Sequence, residues 1–306
     1  MHMTDTLIIP RVALVMYGAS FLIACFCMIK VTSESYLKKL PLIGILGSFV
    51  FTLQMLNLYI PETFSYGQFC GGLLLSAILG PYASYLILIV SLIVQIFLFK
   101  DSGLLALGCN LWNMFFYECF FATLLVWNPI MKKKGYNKKN IIKASFIGCL
   151  SSYVLGVVSF VAQNIIAHVT WLNFGQLIIK MMPVNLVLGL LEGIITSGLL
   201  CFIFVAKPEF LWNPYGDKTL KTTGKLSAKK TSVILGAITI VLAIIITTVA
   251  YYNPSGIELS FLDNGAYEEE TLSPSIATSK LFGFVIVFIL CVSSILTTLF
   301  VKIKSE

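Results

Sequence analysis

A helix that crosses a bilayer needs about 20 consecutive apolar residues, and this 306-residue chain supplies such runs again and again. They lie at about 12–31, 41–59, 83–99, 105–128, 146–168, 182–206, 231–252 and 281–301. Backbone polar groups in lipid must be satisfied within the protein, so repeated apolar runs of this length dictate a helical bundle. The composition agrees, with 58% hydrophobic and 11% charged residues, and so does a mean hydropathy of +0.92. Soluble domains carry roughly twice that share of charge. The segment 69–80 is apolar but short and ends at Gly80-Pro81. It reads as a half-length or re-entrant helix packed inside the protein, where interrupted backbone is tolerated.

Basic residues set the orientation, because Lys and Arg concentrate on cytoplasmic loops. With the N-terminus outside and 69–80 counted as a crossing, nine spans result. All but four of the 21 basic residues then fall inside, the exceptions being Arg11, Lys100, Lys180 and Lys280. Omitting the short segment reverses every later loop and exports the two richest lysine clusters. The expected architecture is an all-α polytopic membrane protein, N-out and C-in. It comprises a bundle of about seven helices, one of them short, followed by a two-helix C-terminal hairpin. Arg11 and the run to Leu22-Ile23-Ala24-Cys25 imitate a lipoprotein signal. The long polar flank before Arg11, and a topology that uses this span, argue for its retention.

Two blocks and a linker are expected. Residues 1–206 form a compact helical unit with short loops, and 207–230 are a polar, lysine-rich cytoplasmic linker. Residues 231–306 form a hairpin around an acidic outer loop, 253–279, that holds Glu258, Asp263 and Glu268-Glu269-Glu270 and no lysine. Such a loop either gathers cations by steering or is simply solvated. The formal net charge of +7 calls for anionic lipid at the inner face, not nucleic acid. The eight cysteines form no CxxC pair and read as small buried hydrophobes. No G-x-x-x-x-G-K-[ST] is present: Gly224-Lys225 is followed by Leu226. The chain is therefore no ATPase. No G-x-S-x-G or HExxH occurs either, so nothing marks it as an enzyme.

Ionisable groups within membrane helices are functional candidates by default, and the spans hold two, Glu118 and Glu192. Glu192 shares a helical stripe with Asn185, Gly189 and Thr196, and Gly189 with Gly193 makes a GxxxG contact motif. Asn110, Asn113 and Tyr117 form a second stripe, Gln54 and Asn57 a third. These read either as a polar centre lined by several helices or as interhelical hydrogen-bond glue. His168, at the end of its span, reads as an interfacial residue. The chain begins Met1-His2. A bulky second residue leaves the initiator Met in place, and a free amine, the His2 amide and its imidazole can chelate one transition-metal ion. Nitrogen ligands of this kind suit Ni, Co, Cu and Zn rather than Mg or Ca.

Several motifs together resemble the substrate-specific membrane component of cobalt and nickel energy-coupling factor transporters (CbiM/NikM type). They are Met1-His2-Met3-Thr4-Asp5, Leu53-Gln54-Met55-Leu56-Asn57, Gly71-Gly72 with Leu79-Gly80-Pro81, and Gly189-Leu190-Leu191-Glu192-Gly193-Ile194-Ile195-Thr196. The most specific stretch is 95–114, with Asp101-Ser102-Gly103-Leu104, Ala106-Leu107-Gly108-Cys109-Asn110 and Asn113-Met114. It reads like the family's Q-x-x-x-F-x-D-G-G-L-x-A-L-G-A-N-x-x-N-M. The hairpin 231–306, with Asn253-Pro254-Ser255-Gly256-Ile257-Glu258 after a span, looks like the family's small companion subunit (CbiN or PDGLE type).

The resemblance implies uptake of Co²⁺ or Ni²⁺ as transported substrate. In the family the ion is held near the outer face by the terminal amine, the second-residue His and a further His. A separate transmembrane coupling protein and ATP-binding subunits drive its release. Met1 and His2 are then the metal ligands, with Gln68 third. Asn110, Asn113, Asn185 and Glu192 are positioning groups. The chain departs from the family at two expected histidines: Gln68 stands in Gly67-Gln68-Phe69-Cys70-Gly71-Gly72, and Asn185 in the seventh span. Three readings follow. The Met1-His2 chelate dominates with weaker affinity; Cys70 or Cys109 substitutes and favours a softer metal; or a diverged fold imports another small substrate. A reading of another class is a stand-alone secondary transporter or channel that uses Glu118 and Glu192.

Overall fold

The computed structural model describes residues 2–3, 5–31, 40–60, 65–99, 103–168, 173–215 and 224–252, with single helical positions at 285, 287 and 292. Among them the chain is mostly helical. The helices are α1 (Pro10–Val31), α2 (Leu40–Gln54), α3 (Gly72–Leu79), α4 (Pro81–Phe99) and α5 (Leu107–Asn110). The last continues as a π-helix over Leu111–Trp127 and then as α6 (Asn128–Lys134). α7 (Lys138–Ala167), α8 (Phe174–Ala206) and α9 (Ala228–Tyr252) follow. Among the described residues, five helices are long and apolar enough to cross a membrane: Pro10–Val31, Leu107–Lys134, Lys138–Ala167, Phe174–Ala206 and Ala228–Ile246. Leu42–Gln54 and Pro81–Phe97 are shorter apolar helices. The second span of the hairpin, apart from the three single positions, and the acidic loop lie outside the described residues.

The structure adds a small sheet that the all-helical reading lacked. Strands β1 (His2–Met3), β2 (Asn57–Ile60) and β3 (Ser65–Gln68) pair antiparallel in the order β1-β3-β2. The apolar run 41–59 therefore does not stay helical to its end. α2 stops at Gln54, and Asn57 begins β2 opposite Gln68. Gln54 and Asn57 thus do not share a helix face. Asn57-Leu58-Tyr59-Ile60 is as apolar as a helix turn but rich in strand-forming types, so hydropathy alone cannot mark the change.

Two helices start earlier than their apolar runs. The Asn137 side chain accepts a hydrogen bond from the Asn140 amide at 2.8 Å and starts α7 ahead of its membrane stretch. Asn173 and Gln176 form a reciprocal capping box that starts α8, which then continues through Pro183. The GxxxG contact holds. A Cβ on Gly189 would lie 3.3 Å from the Tyr153 ring of α7, and one on Gly193 would lie 3.1 Å from Phe146. Asn185, Gly189, Glu192 and Thr196 form one buried face of α8.

The π-helix changes the second stripe. Its i→i+5 bonding brings every fifth residue to one face, and Asn113, Glu118 and Thr123 are all buried. Tyr117 falls off that face and is half-buried, its hydroxyl 3.3 Å from the Trp112 indole nitrogen.

α1 is peripheral. It buries Ala13, Ser20 and Cys27, a heptad line, and exposes Leu14, Phe21, Leu22 and Ile29 at 67–75%. That is the pattern of a helix with lipid on its other faces. It crosses α5 at Gly108, whose carbonyl accepts from the Ser20 hydroxyl at 3.0 Å. α9 packs on α2, with Phe51, Ala243 and Val287 in one apolar cluster.

A Cβ on Gly108 would stand 2.6 Å from the Tyr17 backbone nitrogen, and backbone cannot give way. Gly108→Ala should therefore lower the thermal midpoint, at a cost of about 1–3 kcal/mol. Gly198→Ala, on an exposed face of α8 with nothing within 4 Å, should raise it by up to about 1 kcal/mol. Melting both variants in detergent checks this. Equal shifts would place the α1–α5 crossing elsewhere.

Candidate functional site

α3 is short and buried along its whole length. Its first backbone N–H groups have no intrahelical acceptor, and the protein supplies two carboxylates. Glu192 of α8 accepts from Cys70 N at 2.9 Å and Gly71 N at 2.8 Å. Glu118 of the π-helix accepts from Gly72 N at 2.6 Å and Leu73 N at 3.2 Å. Gly71 sits at φ 74°, a left-handed turn open to glycine, and a side chain there would run into Val50. At the far end, Trp212 N donates to Ala77 O at 2.8 Å, and Gly80 at φ 85° makes the break before Pro81. Both ends of the half-helix are thus held by tertiary partners.

The loop ahead of α3 carries Gln68, which is 1% exposed. Its Nε2 donates to the Gln54 backbone carbonyl at 2.7 Å and to Gln95 Oε1 at 2.9 Å. Gln95 Nε2 donates to Gln54 Oε1 at 2.7 Å, and the Ser91 hydroxyl donates to the same oxygen at 2.7 Å. Gln54 Nε2 donates to Cys70 O at 2.8 Å. Gln68 Oε1 is left buried with no hydrogen-bond partner. Buried polar atoms are nearly always paired, so such an atom calls for an explanation.

The amino-terminal strand reaches this region. His2 stands opposite Tyr66 and Met3 opposite Ser65, so β1 starts on the Gln68 side of β3 and runs away from it. Asn110 clamps Met3 from both sides: Met3 N donates to Oδ1 at 2.7 Å, and Nδ2 donates to Met3 O at 3.0 Å. Asp5 Oδ1 accepts from Ala106 N at 2.8 Å, and a methyl group at Gly103 would overlap the Asp5 carboxylate. The Tyr17 hydroxyl donates to Leu104 O. The start of the chain and segment 103–110, distant in sequence, are therefore one structural unit.

Of the residues singled out in sequence, Gln68, Glu192 and Glu118 converge on the loop before α3, and Asn110 holds β1. Asn113 does not join them. Its amide pairs with Gln163 of α7, at 3.0 and 2.9 Å. Asn185 donates to Met181 O within its own helix at 2.8 Å. His168 is exposed and ends α7 at φ 51°. Met1 and the His2 side chain lie outside what the structure describes. Cys70, Glu118 and Glu192 each bring a ligand-type atom within 4.8 Å of the others, the one such cluster among the described residues. Three of the four carboxylate oxygens accept from amides at the start of α3, and Glu118 Oε1 is buried without a partner. Sequence reading gave Gln95 and Tyr153 no role at the site. The Tyr153 hydroxyl lies 2.7 Å from Glu192 Oε2 and 3.1 Å from Gln68 O. Gln95 carried two signals, an amide in a largely apolar helix and the first position of the Q-x-x-x-F-x-D stretch; Tyr153 carried none, since a tyrosine in a span is common.

Comparison with known proteins agrees with this architecture. The family model for the cobalt uptake substrate-specific transmembrane region, CbiM, matches residues 2–210. A protein of Archaeoglobus fulgidus whose name proposes a fused nickel transporter, NikMN, is 29% identical over 218 residues, covering 69% of this chain and 68% of that one. One of Haloquadratum walsbyi whose name proposes metal transport is 27% identical over 232 residues, covering 74% of this chain and all of the other. The crystal structure of a transition metal transporter superposes with TM-score 0.58 and 26% identity, over 66% of this chain and 92% of that one. The chain is a multi-pass membrane protein that belongs to the CbiM family of substrate-specific transmembrane regions.

Proposed function

We propose that this chain is the substrate-capture membrane subunit of an ATP-driven importer for a divalent transition metal, Co²⁺ or Ni²⁺. Met1 and His2 supply nitrogen ligands, and Gln68 supplies an oxygen. One observation carries the reading: Gln68 Oε1 is a buried acceptor without a partner, on the strand that pairs with His2. His2 and Gln68 are diagonal positions of an antiparallel pair, since Gln68 lies two residues beyond Tyr66. Positions so related lie about 7–8 Å apart across the pair, a separation that one ion and its ligands can span. The names of the relatives, nickel and metal transport, point the same way.

Asn110 acts as a positioning group through Met3, and Glu192 and Glu118 act by holding the Gln68 loop. Asn113 and Asn185 stay in the reading as more distant supports of the helices that carry the site. Residues 1–206 form the substrate-binding unit, 207–230 the cytoplasmic linker and 231–306 a companion-type hairpin, arranged N-out and C-in. The packing of α9 on α2 supports a hairpin attached beside that unit. A separate coupling protein and ATP-binding subunits complete the transporter. A stand-alone carrier built on Glu118 and Glu192 has less behind it, because four backbone amides engage three of the four carboxylate oxygens and leave only Glu118 Oε1 without a partner.

The full chain with an unmodified N-terminus should bind one Co²⁺ or Ni²⁺ ion. His2→Ala should cost more than the roughly 10–100-fold that outer-shell substitutions cost, as read by metal analysis after equilibrium loading. Retained stoichiometric metal in that variant would remove His2 from the site. Imidazole must be neutral to bind metal and protonates near pH 6.5, so affinity should fall as pH drops below about 6. A calorimetric titration flat from about pH 5 to 8 would exclude an imidazole ligand.

A further inference from the structure

The amide relay around Gln68 has a direction. A carbonyl oxygen can only accept, and a primary amide has distinct donor and acceptor ends. The Cys70 carbonyl accepts a hydrogen bond from Gln54 Nε2, which turns Gln54 Oε1 toward Ser91 and Gln95. That oxygen requires donors, so Gln95 turns its Nε2 toward Gln54 and its Oε1 toward Gln68. Gln68 then faces two acceptors, Gln95 Oε1 and the Gln54 backbone carbonyl, with its only donor nitrogen. Its own oxygen is left over. Reversing the Gln68 amide would set oxygen against oxygen at 2.7 and 2.9 Å and leave the N–H groups unpaired. All three glutamines are at most 1% exposed, so water does not scramble the relay.

We propose that Gln95 is a positioning and specificity-determining residue: by accepting from Gln68 Nε2 it makes Gln68 offer oxygen, not N–H, to the captured ion. The inference rests on the metal-capture reading above and adds what sets the chemistry of the third ligand. An amide oxygen is harder than an imidazole nitrogen, so it weakens the preference for nickel that a nitrogen-only site would have. The amide also carries no charge and has no proton to lose. The fixed orientation matters because a reversed amide would present two positive N–H ends to a cation. A rotating Gln68 would be a ligand for only part of the time, and apparent affinity falls with the competent fraction.

A double-mutant cycle tests this by calorimetric titration of the full chain with CoCl₂ and with NiCl₂. Gln95→Leu should weaken Co²⁺ binding about 10–100-fold, the range seen when a group that orients a metal ligand is replaced. In a Gln68→Ala background the same change should have under about twofold effect, because no amide remains to orient. Gln95→Glu, whose buried carboxyl in its protonated form keeps a donor toward Gln54 Oε1 and an acceptor toward Gln68, should recover most of the affinity and covers the case in which the leucine variant folds poorly. Gln68→His should raise the Ni²⁺ over Co²⁺ preference. An equal loss from Gln95→Leu in both backgrounds would reduce Gln95 to a structural role and overturn the proposal. So would full affinity in Gln68→Ala, while leaving metal capture by the amino-terminal chelate standing. No binding of either ion to the parent chain would overturn both.

Discussion

Four successive backbone N–H groups, from Cys70 to Leu73, lie inside the bundle, and Glu192 and Glu118 satisfy all of them. Each side of that arrangement needs the other. A buried N–H without an acceptor costs about 1–3 kcal/mol, and a buried carboxylate without donors costs far more. The positive end of the α3 dipole adds to the attraction. Because Glu118 comes from the π-helix and Glu192 from α8, the segment from Cys70 to Leu73 is fixed against two separate helices. The Tyr153 hydroxyl, within hydrogen-bond distance of both Glu192 and the Gln68 carbonyl, ties α7 into the same point.

What the two carboxylates fix, the glutamines refine. Gln54, Gln68 and Gln95 come from α2, β3 and α4, and their amides close on one another with a single oxygen left over. A histidine at position 68 would bring a nitrogen ligand with its own tautomer to be set. A glutamine needs its amide orientation set instead, and the relay supplies that setting. The amino-terminal strand is delivered to the same place by Asn110, whose amide grips Met3 on both its donor and acceptor sides. Nothing in this arrangement relies on a charged pair exposed to solvent, so it suits a membrane interior.

Much of the fold could be read from the sequence because lipid demands long apolar helices, and α1, α7, α8 and α9 follow their runs with early starts set by Asn137 and Asn173. The half-helix before Gly80-Pro81 was legible for the same reason. Two features were not. The turn from helix to strand after Gln54 keeps the same hydropathy, and the π-helix shifts the buried face from Tyr117 to Glu118 without any change in composition. At the site, the resemblance pointed to Gln68 and Asn110, and the cost of a buried charge pointed to Glu192. Gln95 and Tyr153 act through partners on other elements, and a one-dimensional pattern carries no trace of such pairing. Asn113 shows the converse: its motif placed it near the ligands, but its amide is spent on Gln163.

The central claim is that Gln68 Oε1 meets the transported ion. Anomalous diffraction from crystals of the full chain grown with Co²⁺ tests it most directly. The account predicts one peak in direct contact with Gln68 Oε1 and with nitrogen ligands of the amino-terminal residues. A peak among Cys70, Glu118 and Glu192, with Gln68 Oε1 out of contact, would contradict it and move the site to the carboxylate pair.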